Sequence, residues 1–271
     1  MSEAAESPAG ATEEPVLVRR EGPVLLLTLN RPERLNAVSL PMYDALRGEL
    51  SASAADRSVR CVVLTGQGRA FCVGADLKAH GEGPPTGEQR SRYVRTAQEV
   101  NRLIQTGPKP VVAAVNGHAI GGGLEMALSS DFMVVAEEAK LRFPEIGLGT
   151  FIGGGAVYTL AERVGTLKAR ELIFLGDFFL GKEAAEMGVA WKAVPADKVL
   201  EESMALAGRL SEKAPISMAY AKRLVGPAGT MPREEALRLE AEALEHIFGT
   251  RDWREGVEAF AEKRPPRYVG E

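Results

Sequence analysis

Residues 111–125 restrict the fold more than any other part of the chain. They run Val-Val-Ala-Ala-Val, then Asn116-Gly117-His118-Ala119-Ile120-Gly121-Gly122-Gly123, then Leu124-Glu125. An apolar strand is followed by a glycine-rich turn and the opening of a short helix at residues 124–129. Strand ends and helix N-termini hold groups rigidly, and a helix N-terminus presents unpaired N–H groups and about half a positive charge. Three consecutive glycines serve one of two ends here: they let an anion reach the backbone, or they let the helix pack closely on its neighbours.

Similar punctuation orders the rest of the chain. Residues 16–19 and 24–29 read as strands split by Gly22-Pro23, and Asn30-Arg31-Pro32 ends the second. Ser39 before Leu40-Pro41 marks a helix start, with Tyr43, Leu46 and Leu50 at helical spacing. Residues 59–65 and 132–136 read as strands, residues 141–143 as a shorter one closed by Pro144, and residues 88–105 as a helix. The polar, proline-containing loop at residues 80–88 is expected to be mobile. A second glycine cluster, Gly153-Gly154-Gly155, precedes a helix to residue 164, and another helix covers 167–175.

After Val194-Pro195 the strands stop, and helical segments follow at about 197–212, 216–225, 233–248 and 252–263. The third puts Leu237, Ala241, Leu244 and Phe248 on one face, and the last opens on Asp252 with Glu255 three residues on, a spacing like that of a capping box. These patterns predict an α/β body over residues 16–195 and a C-terminal helical region over 196–271. That region has too little core of its own, so it packs on the body or on another subunit. Residues 1–15 hold four Glu and no Lys or Arg, which predicts a disordered acidic tail.

Composition narrows the function. The 271 residues are 45% hydrophobic and 26% charged, which excludes collagen, coiled-coil and wholly disordered chains. Lys and Arg total 33 against 37 Asp and Glu, a formal net charge of −4, and no long basic run occurs, so nucleic acid is not an expected partner. No apolar stretch reaches about 18 residues and no basic-then-apolar leader opens the chain, so neither a membrane span nor export is expected. Cys61 and Cys72 lack Cys-x-x-Cys spacing, and His80, His118 and His246 are scattered, so neither a disulfide framework nor a metal site is expected. The expectation is a cytoplasmic protein acting on a small molecule. Residues 176–182 fit the first seven positions of a phosphate-binding Gly-x-x-x-x-Gly-Lys pattern, but Glu183 replaces the Ser or Thr that binds magnesium, so they read as a connecting turn. No Gly-x-Gly-x-x-Gly or Gly-x-Ser-x-Gly occurs, which removes common hydride-transfer and serine-hydrolase readings.

Two carboxylates stand out. Glu125 falls one helical turn past the glycines among Leu124, Met126, Ala127 and Leu128, where an isolated charge needs a partner or a raised pKa. Glu145 follows Leu141-Arg142-Phe143-Pro144, again between apolar neighbours. Singly, each fits the usual surface place of a glutamate. Together, beside two glycine clusters, they form a candidate pair for acid–base work.

At these residues the chain resembles the enoyl-CoA hydratase/isomerase, or crotonase, family. The matching pieces are Asn30-Arg31-Pro32 with Leu35-Asn36-Ala37, the run Ala70-Phe71-Cys72-Val73-Gly74-Ala75-Asp76-Leu77-Lys78, Lys109-Pro110 through Asn116-Gly117, Gly121-Gly122-Gly123-Leu124-Glu125, and Phe143-Pro144-Glu145-Ile146-Gly147. The likeness covers about residues 16 to 268. It implies a crotonase-like spiral of repeated ββα units, a C-terminal region that assembles a homotrimer or homohexamer, and an acyl-CoA thioester ligand. By the resemblance, the N–H groups of Ala75 and Gly122 form an oxyanion hole, and Glu125 and Glu145 are the base and the acid of an enoyl-CoA hydratase. Ala75, Asp76, Leu77 and Lys78 line the CoA moiety together with Gly122, and Lys263 reaches a neighbouring subunit's CoA phosphate. No metal or redox cofactor is implied, coenzyme A being part of the substrate. The alternatives are an isomerase, lyase or thioester hydrolase of the same fold, or a noncatalytic acyl-CoA-binding relative. The family's usual Pro before the second glycine cluster is Ile152 here, and Ala156-Val157-Tyr158 replaces the polar pair that tends to follow.

Overall fold

The computed structural model describes residues 14–76, 86–226 and 229–271. Residues 1–13 of the expected tail, and Leu77, Lys78 and His80 with the rest of the stretch through residue 85, lie outside the described residues.

Ten strands form two sheets. In the larger, β1 (Val16–Glu21) pairs antiparallel with β2 (Val24–Leu29), and β3 (Cys61–Gly66), β5 (Val111–Val115), β7 (Phe132–Ala136) and β10 (Lys192–Val194) follow in parallel. The smaller sheet carries β4 (Ala70–Cys72), β6 (His118–Ile120), β8 (Lys140–Arg142) and, antiparallel at its edge, β9 (Phe179–Leu180). Every residue of β3 and β5 is buried, which is why both read as unbroken apolar runs rather than alternating ones. Each fully buried Val or Leu in them contributes about 1.5–3 kcal/mol of transfer free energy.

The chain passes from the large sheet to the small one and then into a helix three times over. These turns are β3–β4–α2 (Gly87–Thr106), β5–β6–α3 (Gly122–Leu128) and β7–β8–α4 (Ala156–Leu175). The chain is thus the crotonase-type ββα spiral. Its corners follow the C-terminal ends of β3 and β5, so residues 67–76 and 116–122 share one edge of the molecule.

Local signals place most helix ends. Ser39 caps α1 (Leu40–Ala55) by accepting from the Met42 N–H, and Thr86 and Gln89 form a reciprocal capping box on α2. Gly165, at φ 77° and ψ 160°, divides α4 into the two helices expected. Three sequence readings need correction. His118–Ile120 is a strand inside the glycine-rich turn, because its backbone pairs with β4 and β8. Residues 176–182 are not a bare turn but hold β9 and the start of α5 (Gly181–Glu186). The last helix, α9 (Arg251–Glu262), is capped by Thr250, whose hydroxyl accepts from the Trp253 N–H. Asp252 instead accepts from Val269 and Gly270, and Glu255 from Arg264 and Arg267, so this acidic pair fastens the C-terminal tail.

Beyond residue 195, α6 (Val199–Ser211) packs on β3 and β5 as part of the body. Helix α7 (Pro215–Val225) is pinned by Lys222, whose ammonium donates to Ile104 O, Lys109 O and Asp131 Oδ2 at 2.6–2.9 Å. Helix α8 (Arg233–Phe248) leaves Leu237, Leu244 and Phe248 half exposed, and α9 leaves Phe260 87% exposed.

Candidate active site

The site begins with how residues 70–76 are held. Asn36, wholly buried and at φ 55°, donates its amide to Gln67 O and Ala70 O and accepts from the Arg31 N–H. Arg31 in turn donates to Ala37 O at 2.7 Å and pairs with Asp76 at 3.0 Å. Val38 N donates to Gly74 O, and Asp76 N donates to Val38 O, a one-residue parallel bridge centred on Ala75. In such a bridge the central residue's own N–H points to the other side. A Cβ built on Gly74 would stand 3.3 Å from the Gly122 nitrogen. The Ala75 side of the bridge therefore abuts the first turn of α3, and the Ala75 and Gly122 N–H groups have no hydrogen-bond acceptor among the described residues.

Gly121 explains why this turn needs glycine. Its φ of 52° is left-handed, and a Cβ there would lie 2.5 Å from Glu145 Oε1. The Glu145 carboxyl thus rests against the backbone one residue before the Gly122 donor. Its Oε2 is buried and accepts no hydrogen bond from the described residues.

Glu125 reaches the same region from α3 and is held by the second glycine cluster. Its Oε2 accepts from the Gly154 N–H at 2.5 Å, and its Oε1 lies 3.5 Å from the Gly153 nitrogen. A side chain at residue 154 would collide with Asn101 and with that carboxylate. Gln98 ties the loop down by donating to Gly153 O, and Ser129 links Asn101 to the Glu125 carbonyl.

Both carboxyls are nearly enclosed, at 5% and 9% exposure. Burial pushes the Glu125 pKa up, against the pull of the Gly154, Gly153 and Ala156 N–H groups. Burial also raises Glu145, opposed by its own N–H and by Arg142, while the nearby Glu125 charge raises it further. A pair of carboxyls so placed can exchange protons, beside two N–H donors suited to a developing oxyanion.

The fold therefore brings Ala75, Gly122, Glu125 and Glu145 together. Asp76 is engaged by Arg31 behind them, Leu77 and Lys78 lie outside the described residues, and Lys263 is exposed at the end of α9 as its left-handed C-cap. Sequence reasoning missed Tyr43, buried with its hydroxyl 3.5 Å from where a Gly122 Cβ would stand and in edge contact with Tyr93. It also missed Gln98 and Asn101, whose only signal was their helical register on α2. The two described histidines fall outside the chemistry: His118 accepts from Lys140 N, and His246 meets the Tyr220 hydroxyl. Cys61 and Cys72 are buried thiols, each pushed up to about 12 by burial.

A family model described as enoyl-CoA hydratase/isomerase matches residues 19–271. The chain is 33% identical over 257 residues to a crotonyl-CoA hydratase of Syntrophomonas wolfei, covering 94% of this chain and 98% of that one. It is 33% identical over 255 residues to a 2,3-dehydroadipyl-CoA hydratase of Escherichia coli, with the same coverages. The crystal structure of an enoyl-CoA hydratase from Bacillus anthracis superposes with a TM-score of 0.90 at 33% identity, covering 95% of this chain and all of that one.

Proposed function

The chain belongs to the enoyl-CoA hydratase/isomerase family, and from that premise we propose that it is an enoyl-CoA hydratase, adding water across the 2,3 double bond of an enoyl-CoA thioester. The thioester oxygen sits between the Ala75 and Gly122 N–H groups. Glu125 takes a proton from water as its oxygen attacks carbon 3, and the electron pair of the double bond moves toward the carbonyl, making an enolate. The two preorganised donors stabilise that oxygen as charge develops on it. Glu145 delivers a proton to carbon 2 and restores the carbonyl. The proton gained by Glu125 returns to Glu145 before the next turnover, so the pair shares one proton between them. The N–H groups supply the electrophilic pull, so the reaction calls for no metal or redox cofactor.

The observation that carries this reading is the meeting of two acceptor-free N–H groups with two buried carboxyls whose pKa values are raised. We further assign the stretch from Ala75 to Lys78 to the CoA moiety and Lys263 to a neighbouring subunit's CoA phosphate. The protein works as a homotrimer or homohexamer, a reading supported by the apolar surface left on α8 and α9, where Leu244, Phe248, Val257 and Phe260 are exposed. No described helix is long and apolar enough to cross a membrane, and the cytoplasm is the compartment we infer. Purified protein mixed with crotonyl-CoA should remove the conjugated enoyl absorbance rapidly. Coenzyme A thioester binding without any loss of that absorbance would leave only the noncatalytic reading.

A further inference from the structure

Parallel strands have two ends, and the groups described above all follow the C-terminal ends of β3, β5 and β7. Before the N-terminal ends of the same strands lies a cavity of about 380 Å³. At about 3.3 Å per residue, the five- and six-residue strands β5 and β3 are about 15–20 Å long, and the cavity and the carboxyl pair lie beyond their opposite ends. Its walls come from the residues leading into β3 and β5, from one face of α7 between Pro215 and Arg223, and from the C-terminal tail.

Four cations line it: Arg57, Arg60, Lys109 and Arg223. Among the described residues only Arg57 of the four meets a carboxylate, that of Glu271 at 2.8 Å, which it shares with Arg251. Arg60 donates to the neutral Tyr268 carbonyl at 2.6 Å, and Arg223 lies over the Tyr220 ring at 4.7 Å. The Lys109 ammonium makes no hydrogen bond or ion pair among the described residues. Burial and the Arg60 charge both press its pKa down, with Asp56 opposing. Asp56 is itself bound by Arg20 and Ser58. The cavity thus gathers positive charge from Arg60, Lys109 and Arg223, none of which has a carboxylate ion-pair partner among the described residues, with Asp56 offsetting it only in part. Pro108, Pro215 and Val269 add an apolar wall.

We propose that this cavity is a second ligand site, separate from the acyl-CoA site, that takes a small polyanion bearing phosphate: Arg60 and Lys109 grip one end, Arg223 closes the other, and any apolar part lies on the proline wall. Arginine forks and a lysine point charge suit phosphate oxygens.

Isothermal titration calorimetry of the full chain with inorganic pyrophosphate at low ionic strength, and with ADP in a parallel arm, tests it. Saturable one-to-one binding that weakens as salt rises is expected. Lys109→Gln combined with Arg223→Gln should weaken it at least tenfold, with crotonyl-CoA turnover and melting temperature unchanged. Lys78→Gln, in the stretch assigned to CoA, should bind pyrophosphate as the wild type does. Tighter binding of ADP than of pyrophosphate, weakened in Lys109→Gln and kept in Lys78→Gln, would identify a nucleotide as the source of the phosphate, and the reverse order of affinities a bare phosphate. Should the double variant not fold, Lys109→Gln alone carries the test, since its ammonium holds nothing in place. Absence of saturable binding, unchanged affinity in the Lys109 variants, or loss of binding in Lys78→Gln would overturn the proposal. The readout is binding, so it can fail while the hydratase reading stands.

Discussion

The turn that carries Glu145 and the helix that carries Glu125 hold the same functional group in opposite ways. Glu125 is gripped: Gly154 and Gly153 aim backbone N–H groups at its two oxygens. Glu145 has fewer donors: one oxygen lies against the Gly121 backbone, and the other is buried and accepts no hydrogen bond from the described residues. Burial raises both, but hydrogen bonds to the charged form favour that form, and the loop supplies them chiefly to Glu125. The contrast favours Glu125 as the member that stays ionised and acts as base, and Glu145 as the member that keeps the proton and delivers it.

The harshest way to break this division of labour is to remove one carboxyl at a time. Glu125→Gln and Glu145→Gln should each lower crotonyl-CoA turnover by about 10²–10⁴-fold, the usual worth of a positioned acid or base. The double variant should be little worse than the worse single one, because the two act as a unit. Near-normal turnover in either single variant would end the paired mechanism. A somewhat smaller loss tests the donor beside them. Gly122→Pro removes the N–H at the first position of α3, where proline is otherwise well tolerated, and should cost about 10²–10³ in kcat. Gly122→Ala is the control: its Cβ would meet Tyr43 and Gly74 at ordinary contact distances of 3.5 and 3.9 Å. It keeps the donor and should keep most of the activity. Equal loss in both variants would mean that shape, not the N–H, matters there.

Much of this was legible in the sequence, for physical reasons that can be named. Residues 24–29, 111–115 and 132–136 announced themselves as strands because they are buried on both faces and so carry hardly any polar residue. Glu125 and Glu145 stood out because charge among apolar neighbours demands an explanation. His118–Ile120 was hidden because a three-residue strand shows no period, and its glycine-rich surroundings resemble a plain turn. The grip of Gly153 and Gly154 on Glu125 was hidden too, since backbone donors leave no side-chain signature and the partners are 28 and 29 residues apart. Asp252 misled because a carboxylate three residues before another imitates a cap, while the real cap, Thr250, stood two residues upstream. The match of the whole chain to a known family supplied the roles of Ala75 and Gly122, which spacing alone did not assign.

A gentler substitution sharpens the contrast by loosening the grip on Glu125. Gly154→Ala would put a Cβ 2.5 Å from Asn101 Nδ2 and 2.9 Å from Glu125 Oε2, so the loop must shift. Losing N–H donors to the charged form raises the Glu125 pKa beyond what burial already does. A base must be ionised to work, so the acid limb of the kcat profile should move to higher pH, and at pH values below the limb kcat should fall about tenfold for each unit it moves. An unmoved limb with lower kcat throughout would say that the loop shapes the pocket without tuning the base.

The smallest expected effect is on stability, and it concerns Glu145. Its pKa is raised on folding, so ionising it weakens the folded state. The favourable contribution is full below the unfolded value and is lost as pH rises through the raised one. Glu145→Gln replaces a buried charge with a neutral amide that costs less to enclose. The variant should therefore melt higher than the wild type near pH 8, by about 2–4 °C for each kcal/mol recovered. That advantage should vanish near pH 4, where the wild-type carboxyl is protonated as well. Scanning calorimetry at both pH values decides it. An advantage of the same size at both would mean that packing rather than charge separates the variants, and that burial does not raise the Glu145 pKa.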